Sequence, residues 1–288
     1  MTTIVIGKSG QLAQELSLLS DELVCLGRDD IDILDIENIT NVLSLYSPTS
    51  LINASAYTAV DKAESDEKAA YALNHIAVQN LAQYCLHNNI HMVHISTDYV
   101  FSGDKGFPYK IDDTYAPIGV YGASKMCGEQ ELLRTNAEGS CIIRTSWVYS
   151  QFGNNFVKTM LRLMAEKTAL GVIDDQIGSP TSAKALAAAC LFAADNKVQG
   201  VHHFTDAGVA SWYDFAVAIQ KIAIEKSLLK KSIVINPIPT IAYPTPAKRP
   251  TYSVLDKNTL NSSFNHLQPK HWQSELADVI ELLKSNLK

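Results

Sequence analysis

The chain opens on Thr3-Ile4-Val5-Ile6-Gly7-Lys8-Ser9-Gly10-Gln11-Leu12-Ala13. Four strand-favouring residues run into a glycine, and Leu12, Leu16 and Leu19 then repeat on one helical face. A strand that ends in glycine and feeds a helix reads as the start of a dinucleotide-binding βαβ unit. Gly7 and Gly10 serve a tight turn and a close backbone approach to a pyrophosphate. The helix N-terminus supplies free N–H groups and a positive dipole end. The spacing is GxxGxxA rather than GxGxxG, so the pattern gains its force from its place after the first strand. No GK[ST] closes the loop, which argues against NTP hydrolysis.

Working outward, strand-like runs recur at 23–26, 51–53, 92–96 and 141–145. Helical patterns fall between them at 39–46, 68–86 and 122–133. Strands spaced by helices mean βαβ units, right-handed crossovers and a parallel sheet. The predicted fold class is α/β: a Rossmann-type doubly wound parallel sheet with a smaller C-terminal α/β substrate-binding lobe. Residues 1–149 form the expected NAD(P)-binding part, with 183–205 returning to it. Residues 150–182 and 206–288 form the expected lobe. Half of the ten prolines lie between Pro237 and Pro250. Proline lacks a ladder donor, so this stretch reads as an ordered loop or wrap. A last helix is expected over 274–287.

Composition narrows the classes. The 288 residues carry a formal charge of −6, which lacks the footprint of a general nucleic-acid binder. A hydrophobic fraction of 47% excludes disorder. No apolar run reaches the roughly 18 residues of a membrane helix, and no basic region precedes the first strand as in a signal peptide. The cysteines (Cys25, Cys85, Cys127, Cys141, Cys190) are odd in number, widely spaced and without CxxC. They read as free thiols of a cytoplasmic protein. The histidines show no metal-ligand spacing. His202 and His203 would face opposite ways on a strand.

Two further stretches carry chemistry. The second strand ends at Gly27-Arg28-Asp29-Asp30. An acidic residue here holds adenine-ribose hydroxyls, whereas an arginine accommodates a 2′-phosphate. Arg28 favours NADPH, and the neighbouring aspartates oppose it, so use of either cofactor is expected. The fourth strand ends at Ser96-Thr97-Asp98, and Tyr121-Gly122-Ala123-Ser124-Lys125 opens a later helix. The i,i+4 spacing puts Tyr121 and Lys125 on one face. Reducing a ketone requires a proton for its oxygen as hydride reaches carbon. Tyr121 is the candidate donor, Lys125 an ammonium expected to lower its pKa, and Thr97 a hydroxyl that orients the carbonyl.

These motifs, with Asn53-Ala54-Ser55-Ala56-Tyr57-Thr58-Ala59-Val60-Asp61-Lys62-Ala63-Glu64, Arg144-Thr145-Ser146-Trp147-Val148-Tyr149, Gly153-Asn154-Asn155-Phe156 and Asp175-Gln176-Ile177-Gly178-Ser179-Pro180-Thr181, run nearly end to end. By them the chain resembles the extended short-chain dehydrogenase/reductase family, and within it the dTDP-4-dehydrorhamnose reductases. The resemblance implies NAD(P)H-dependent reduction of the C4 ketone of a dTDP-sugar. Gly10, Gln11 and Leu12 would line the pyrophosphate, Asp35 and Ile36 would flank the adenine, and Ala56, Tyr57, Thr58 and Ile95 would contact the cofactor's middle. Tyr121 and Lys125 would touch its nicotinamide end. Thr97, Asp98 and Trp147 would touch the sugar nucleotide, Trp147 offering an aromatic face to a deoxysugar. Lys248 and Arg249 could meet the substrate diphosphate. Some members dimerise through Mg²⁺ held by glutamates. Glu15 is present, but Lys184 stands where another glutamate would follow, so no metal site is expected. Monomer and homodimer both stay open. The charged run 61–68 reads mostly as a solvated face. Two other readings stand beside the leading one: a non-catalytic NADP-binding regulatory subunit of the methionine adenosyltransferase type, and a reductase forming dTDP-6-deoxy-L-talose.

Overall fold

Period-two alternation decides the central sheet. Ile4 and Ile6 face one buried cluster with Leu51 and Ile142, whereas Val5, Ile52, Cys141 and Ile143 face another. A strand buried on both faces needs helices on both, and the computed structural model of the chain, which describes residues 2–264 and 267–286, has them. In chain order the elements begin β1 (Thr3–Ile6), α1 (Gln11–Leu19), β2 (Val24–Leu26), α2 (Ile36–Ser44), β3 (Ser50–Asn53) and α3 (Val60–Ala63). They continue with α4 (Glu67–Tyr71), α5 (Ala77–His87), β4 (His91–Thr97), α6 (Val120–Asn136), β5 (Ser140–Thr145) and β6 (Val148–Tyr149). Then come α7 (Phe156–Glu166), β7 (Ala169–Ile173), β8 (Ile177–Gly178), β9 (Thr181–Ser182), α8 (Ala183–Asp195) and β10 (Gly200–His203). The chain closes with β11 (Ala210–Ser211), α9 (Trp212–Glu225), β12 (Val234–Ile238), α10 (Asn258–Ser263) and α11 (Trp272–Ser285).

Six parallel strands form the sheet in the order β10-β5-β4-β3-β1-β2. The chain leaves β1 toward β2 and then crosses to β3 on the other side. That reversal opens a crevice beyond the carboxyl ends of β1 and β3, where doubly wound sheets bind ligands. Helices α1 and α8 cover one face, the alanines of α8 allowing close approach. Helices α2, α5 and α6 cover the other. A third core gathers Met160, Met164, Phe215, Ile219, Leu276 and Ile280 from α7, α9 and α11. No helix among the described residues is long and apolar enough to cross a membrane.

Three expectations are corrected. The single helix over 68–86 is interrupted by a π-helical turn, Ala72–Ile76, between α4 and α5. The proline-bearing stretch is not all loop, because β12 pairs in parallel with β7 and places Pro237 opposite Val172. A two-stranded sheet leaves one side of each strand without a ladder, and that is where proline is tolerated. The final helix starts two residues earlier than expected, at Trp272, and Leu287 lies outside the described residues.

Candidate active site

At the β1–β3 reversal Gly7 turns with φ of +112°. A Cβ there would lie 3.3 Å from the Ala54 backbone, so only glycine lets the two strand ends approach this closely. Gly10 is the N-cap of α1 with no side-chain cap, and nothing lies within 4 Å of where its Cβ would be. The first-turn N–H groups are thus free to meet an anion. They face a cleft of about 770 Å³ lined by Gly7–Gly10, Leu26–Arg28, Ile31–Leu34 and Ala54–Tyr57. This cradle fits the pyrophosphate and adenosine half of a dinucleotide.

The acidic residues around the cleft are engaged by the protein itself. Asp30 accepts from the Gly27 N–H at 2.8 Å and from Lys8 at 3.3 Å, and these bonds hold its carboxyl below the usual range. Asp32 accepts from the Leu34 N–H. Asp35 caps α2, accepting from the Glu37 and Asn38 N–H groups. Asp35 and Ile36 sit on the exposed start of α2, one residue beyond the cleft wall formed by Asp32, Ile33 and Leu34. Arg28 is exposed on the cleft rim. Of the other expected contacts, Leu12 buries its side chain in the core, and Gln11 accepts from Asn155, the N-cap of α7. Ala56 and Tyr57 line the cleft, and Thr58 lies exposed beside them.

The π turn explains how the loop after β3 is fixed. Asn74 accepts from the Tyr57 N–H at 2.9 Å, donates to the Tyr57 carbonyl at 3.1 Å, and donates to Ser124 Oγ at 3.0 Å. One buried side chain therefore ties the cofactor loop to the helix that carries Tyr121 and Lys125. A π turn repositions a side chain that a regular helix would aim elsewhere.

Thr97, Asp98 and Tyr121 meet at the carboxyl end of β4. The only hydrogen of Thr97 Oγ1 goes to Asp98 Oδ1 at 2.9 Å, and its oxygen accepts from the Tyr99 N–H at 3.2 Å. To orient a ketone oxygen, Thr97 must exchange Asp98 for it. Burial raises the Asp98 carboxyl to about 6. Burial raises the Tyr121 phenol to about 12, opposed by a hydrogen bond with Thr97. The expected ammonium effect on this phenol is absent in this arrangement. Lys125 is retracted into the sheet, donating to the Ile95 carbonyl at 2.6 Å and lying 3.3 Å from His94 Nε2, and burial lowers it to about 8. Gly122 seats the helix, since a Cβ there would lie 2.1 Å from the Tyr99 carbonyl oxygen.

Trp147 leaves β5 beside this cluster, because the register places Thr145 next to Thr97. Its φ is +49°, an uncommon backbone for a bulky residue. Its indole stacks on Trp212 with ring centroids 3.6 Å apart. Gly178 packs beneath, where a Cβ would come within 2.7 Å of the ring. Gly178→Ala must therefore displace Trp147. Its expected effect is a fall in kcat/KM of roughly ten- to a hundredfold, with a changed tryptophan emission spectrum and an unchanged cofactor affinity. Steady-state kinetics and fluorescence check this.

The charged run is mostly exposed, as expected, but two of its carboxylates also hold neighbouring segments. The Asp61 carboxylate pairs with Arg249 at 2.7 Å and accepts from the Ala247 N–H. Glu64 accepts from the Val120 N–H at the start of α6. Both are carboxylates at loop or helix ends, a pattern invisible without the partner that packs there. Arg249 is thus held by Asp61 and Thr245, while Lys248 is exposed. Glu15 is buried and accepts from Ser150 Oγ at 2.5 Å, and Lys184 is exposed. This pair does not fit a shared Mg²⁺. Among the described residues no three His, Cys, Asp or Glu side chains gather where they could hold a metal.

Comparison with known proteins matches residues 1–285 to the family described as the RmlD substrate binding domain. A dTDP-4-dehydrorhamnose reductase of Aggregatibacter actinomycetemcomitans is 40% identical over 287 residues, spanning 96% of this chain and 97% of that one. The crystal structure of a dTDP-4-dehydrorhamnose reductase from Clostridium acetobutylicum superposes with a TM-score of 0.93 at 35% identity, covering 99% of this chain and all of that one. A dTDP-4-dehydrorhamnose reductase of Bacillus anthracis, solved with NADP, gives 0.91 at 34% identity, covering 98% of this chain and 100% of that one.

Proposed function

The chain belongs to the RmlD substrate binding domain family, the family of the dTDP-4-dehydrorhamnose reductases, and from that premise we propose that it reduces the C4 ketone of dTDP-4-dehydro-β-L-rhamnose to dTDP-β-L-rhamnose. This is the last step in supplying dTDP-L-rhamnose to cell-surface polysaccharide such as O-antigen. The carrying observation is the meeting of Thr97, Asp98 and Tyr121 at the end of β4, with Lys125 one turn along α6 and the Gly7–Gly10 cradle across the crevice. The nicotinamide would supply the hydride. Tyr121 keeps its proton at neutral pH because burial holds it there, and it delivers that proton to the ketone oxygen as charge develops. Lys125, swung out of the sheet as an ammonium, opposes the growing phenolate charge. Thr97 orients the oxygen, and Trp147, braced by Trp212 and Gly178, borders the sugar. We assign the cofactor to residues 1–149 and 183–205, and the sugar nucleotide to the remaining lobe.

We propose a preference for NADPH, supported by the engagement of Asp30, Asp32 and Asp35 with backbone N–H groups and by Arg28 on the cleft rim. Arg28→Ala is expected to raise the KM for NADPH about tenfold, the worth of one charge-assisted contact, while leaving that for NADH within about twofold. Equal change for both would remove the preference. The five thiols are free, as suits a cytoplasmic enzyme.

The test of function is oxidation of NADPH by the purified protein with and without the ketosugar. Turnover only with the ketosugar supports the reading. No turnover together with stoichiometric capture of a methionine adenosyltransferase favours the regulatory alternative. The proton NMR coupling at H4 of the product separates the rhamno from the talo configuration.

A further inference from the structure

One buried histidine stands outside the chemistry described so far. His94 lies in the middle of β4, fully buried, with Asn53 of β3 on one side and Lys125 on the other. Its Nδ1 is 3.2 Å from Asn53 Nδ2, and its Nε2 is 3.3 Å from Lys125 Nζ. Asn53 has its amide orientation fixed, because Oδ1 accepts from the Ser55 N–H at 3.1 Å and from Ser55 Oγ at 2.6 Å. A backbone N–H can only donate, so the Asn53 amide nitrogen must face His94, and it too can only donate. Nδ1 is therefore the acceptor. Burial holds the ring neutral, far below the usual imidazole range. A neutral ring carries one proton, which leaves Nε2 as an N–H aimed at Lys125.

An ammonium has three donors and no acceptor, so it meets this N–H as a donor against a donor. A neutral amine has a lone pair to receive it and can still donate to the Ile95 carbonyl. Asn53 cannot yield without turning its NH₂ against the Ser55 N–H, whereas Lys125 yields by losing one proton. Burial has already brought Lys125 close to the neutral range. The other ionisable groups around it do not supply the missing acceptor. Glu129, one turn on along α6, favours the charged lysine but is paired with Arg144 of β5. Tyr121 lies one turn back, Asp98 closes β4 on Thr97, and the π turn contributes the uncharged Asn74.

We propose that His94 is a positioning residue that holds retracted Lys125 as a neutral amine, so that the charged lysine is the form that turns out toward the phenol. The proposal rests on the reading of Tyr121 and Lys125 given above, and its test is independent of turnover. In the intact protein labelled with ¹⁵N-histidine, NMR is expected to show His94 neutral, protonated on Nε2 and bare on Nδ1. With ¹³C-lysine, the Lys125 Cε resonance gives the titration midpoint of the amine directly. His94→Asn places a carbonyl where Nδ1 stood and keeps the Asn53 bond, but nothing then reaches Lys125. The midpoint is expected to rise by about one pH unit, and the alkaline limb of kcat/KM to move with it. A ring protonated on Nδ1 in the parent overturns the proposal, even if the variant does not fold. So does an unmoved Lys125 midpoint in a folded variant. Undiminished turnover by Lys125→Ala would instead remove the catalytic reading while leaving the tautomer and midpoint results intact.

Discussion

Tyr121→Phe is expected to lower kcat by about a hundred- to ten-thousandfold, with cofactor affinity held within about twofold. The phenol hydroxyl at the end of β4 keeps its proton at neutral pH and lies within hydrogen-bond reach of Thr97. Removing one oxygen leaves the ring edge-on to Tyr99, centroids 5.6 Å apart, so the helix has no cause to move. The sign of the pH dependence follows from the two shifts. Tyr121, raised to about 12, stays protonated across the working range. Lys125, lowered to about 8, is charged below that pH and neutral above it. The parent's kcat/KM is therefore expected to fall as pH rises through about 8, the limb belonging to the lysine. Rapid-mixing measurement of nicotinamide absorbance, with cofactor titration by fluorescence, checks both parts. Turnover in the Phe variant at the parent's rate would sink the proton-donor assignment.

What could be read from the chain was whatever lies close in sequence. The Gly7–Gly10 turn, the alternation of Ile4, Val5 and Ile6, and the Tyr121–Lys125 spacing are each decided within a few residues, and periodicity reports them. What escaped is decided by partners far along the chain. The π turn at Ala72–Ile76 follows from the three bonds of Asn74 to Tyr57 and Ser124, and no helical pattern announces it. Asp61 and Glu64 lie on a largely solvated face, and only the fold places Arg249 and the Val120 N–H against them. The electrostatics of Tyr121 were misjudged for a like reason. Spacing shows that Lys125 can reach the phenol, but the Ile95 carbonyl and His94 decide where it rests. A lone histidine in a strand gives no sign of the tautomer its neighbours enforce.

The largest effect on stability is expected one turn beyond Lys125. Arg144 and Glu129 are 1% and 0% exposed and joined at 2.7 Å. Around them Tyr115 donates to Glu129 at 2.7 Å, and Arg144 donates to the Ile111 carbonyl at 3.0 Å. The pair thus fastens α6 and β5 to the loop over residues 111–115. Glu129→Gln keeps the shape but leaves a guanidinium buried without its counter-charge. Breaking a buried pair from one side typically costs about 3–5 kcal/mol, and for a chain this long each kcal/mol lowers Tm by roughly 2–4 °C. A fall of roughly 6–20 °C is expected by calorimetry. Replacing both partners together, Glu129→Leu with Arg144→Met, removes the unpaired charge along with the pair. The double variant is expected to be more stable than Glu129→Gln and close to the parent. Its activity should nevertheless drop, because the Tyr115 hydroxyl loses Glu129 and also Arg144, which donates to it at 2.9 Å, and the loop over residues 111–115 is no longer tied to the helix that carries Tyr121. A Glu129→Gln variant that melts with the parent would show that the pair contributes nothing net, and that apolar packing alone seats α6.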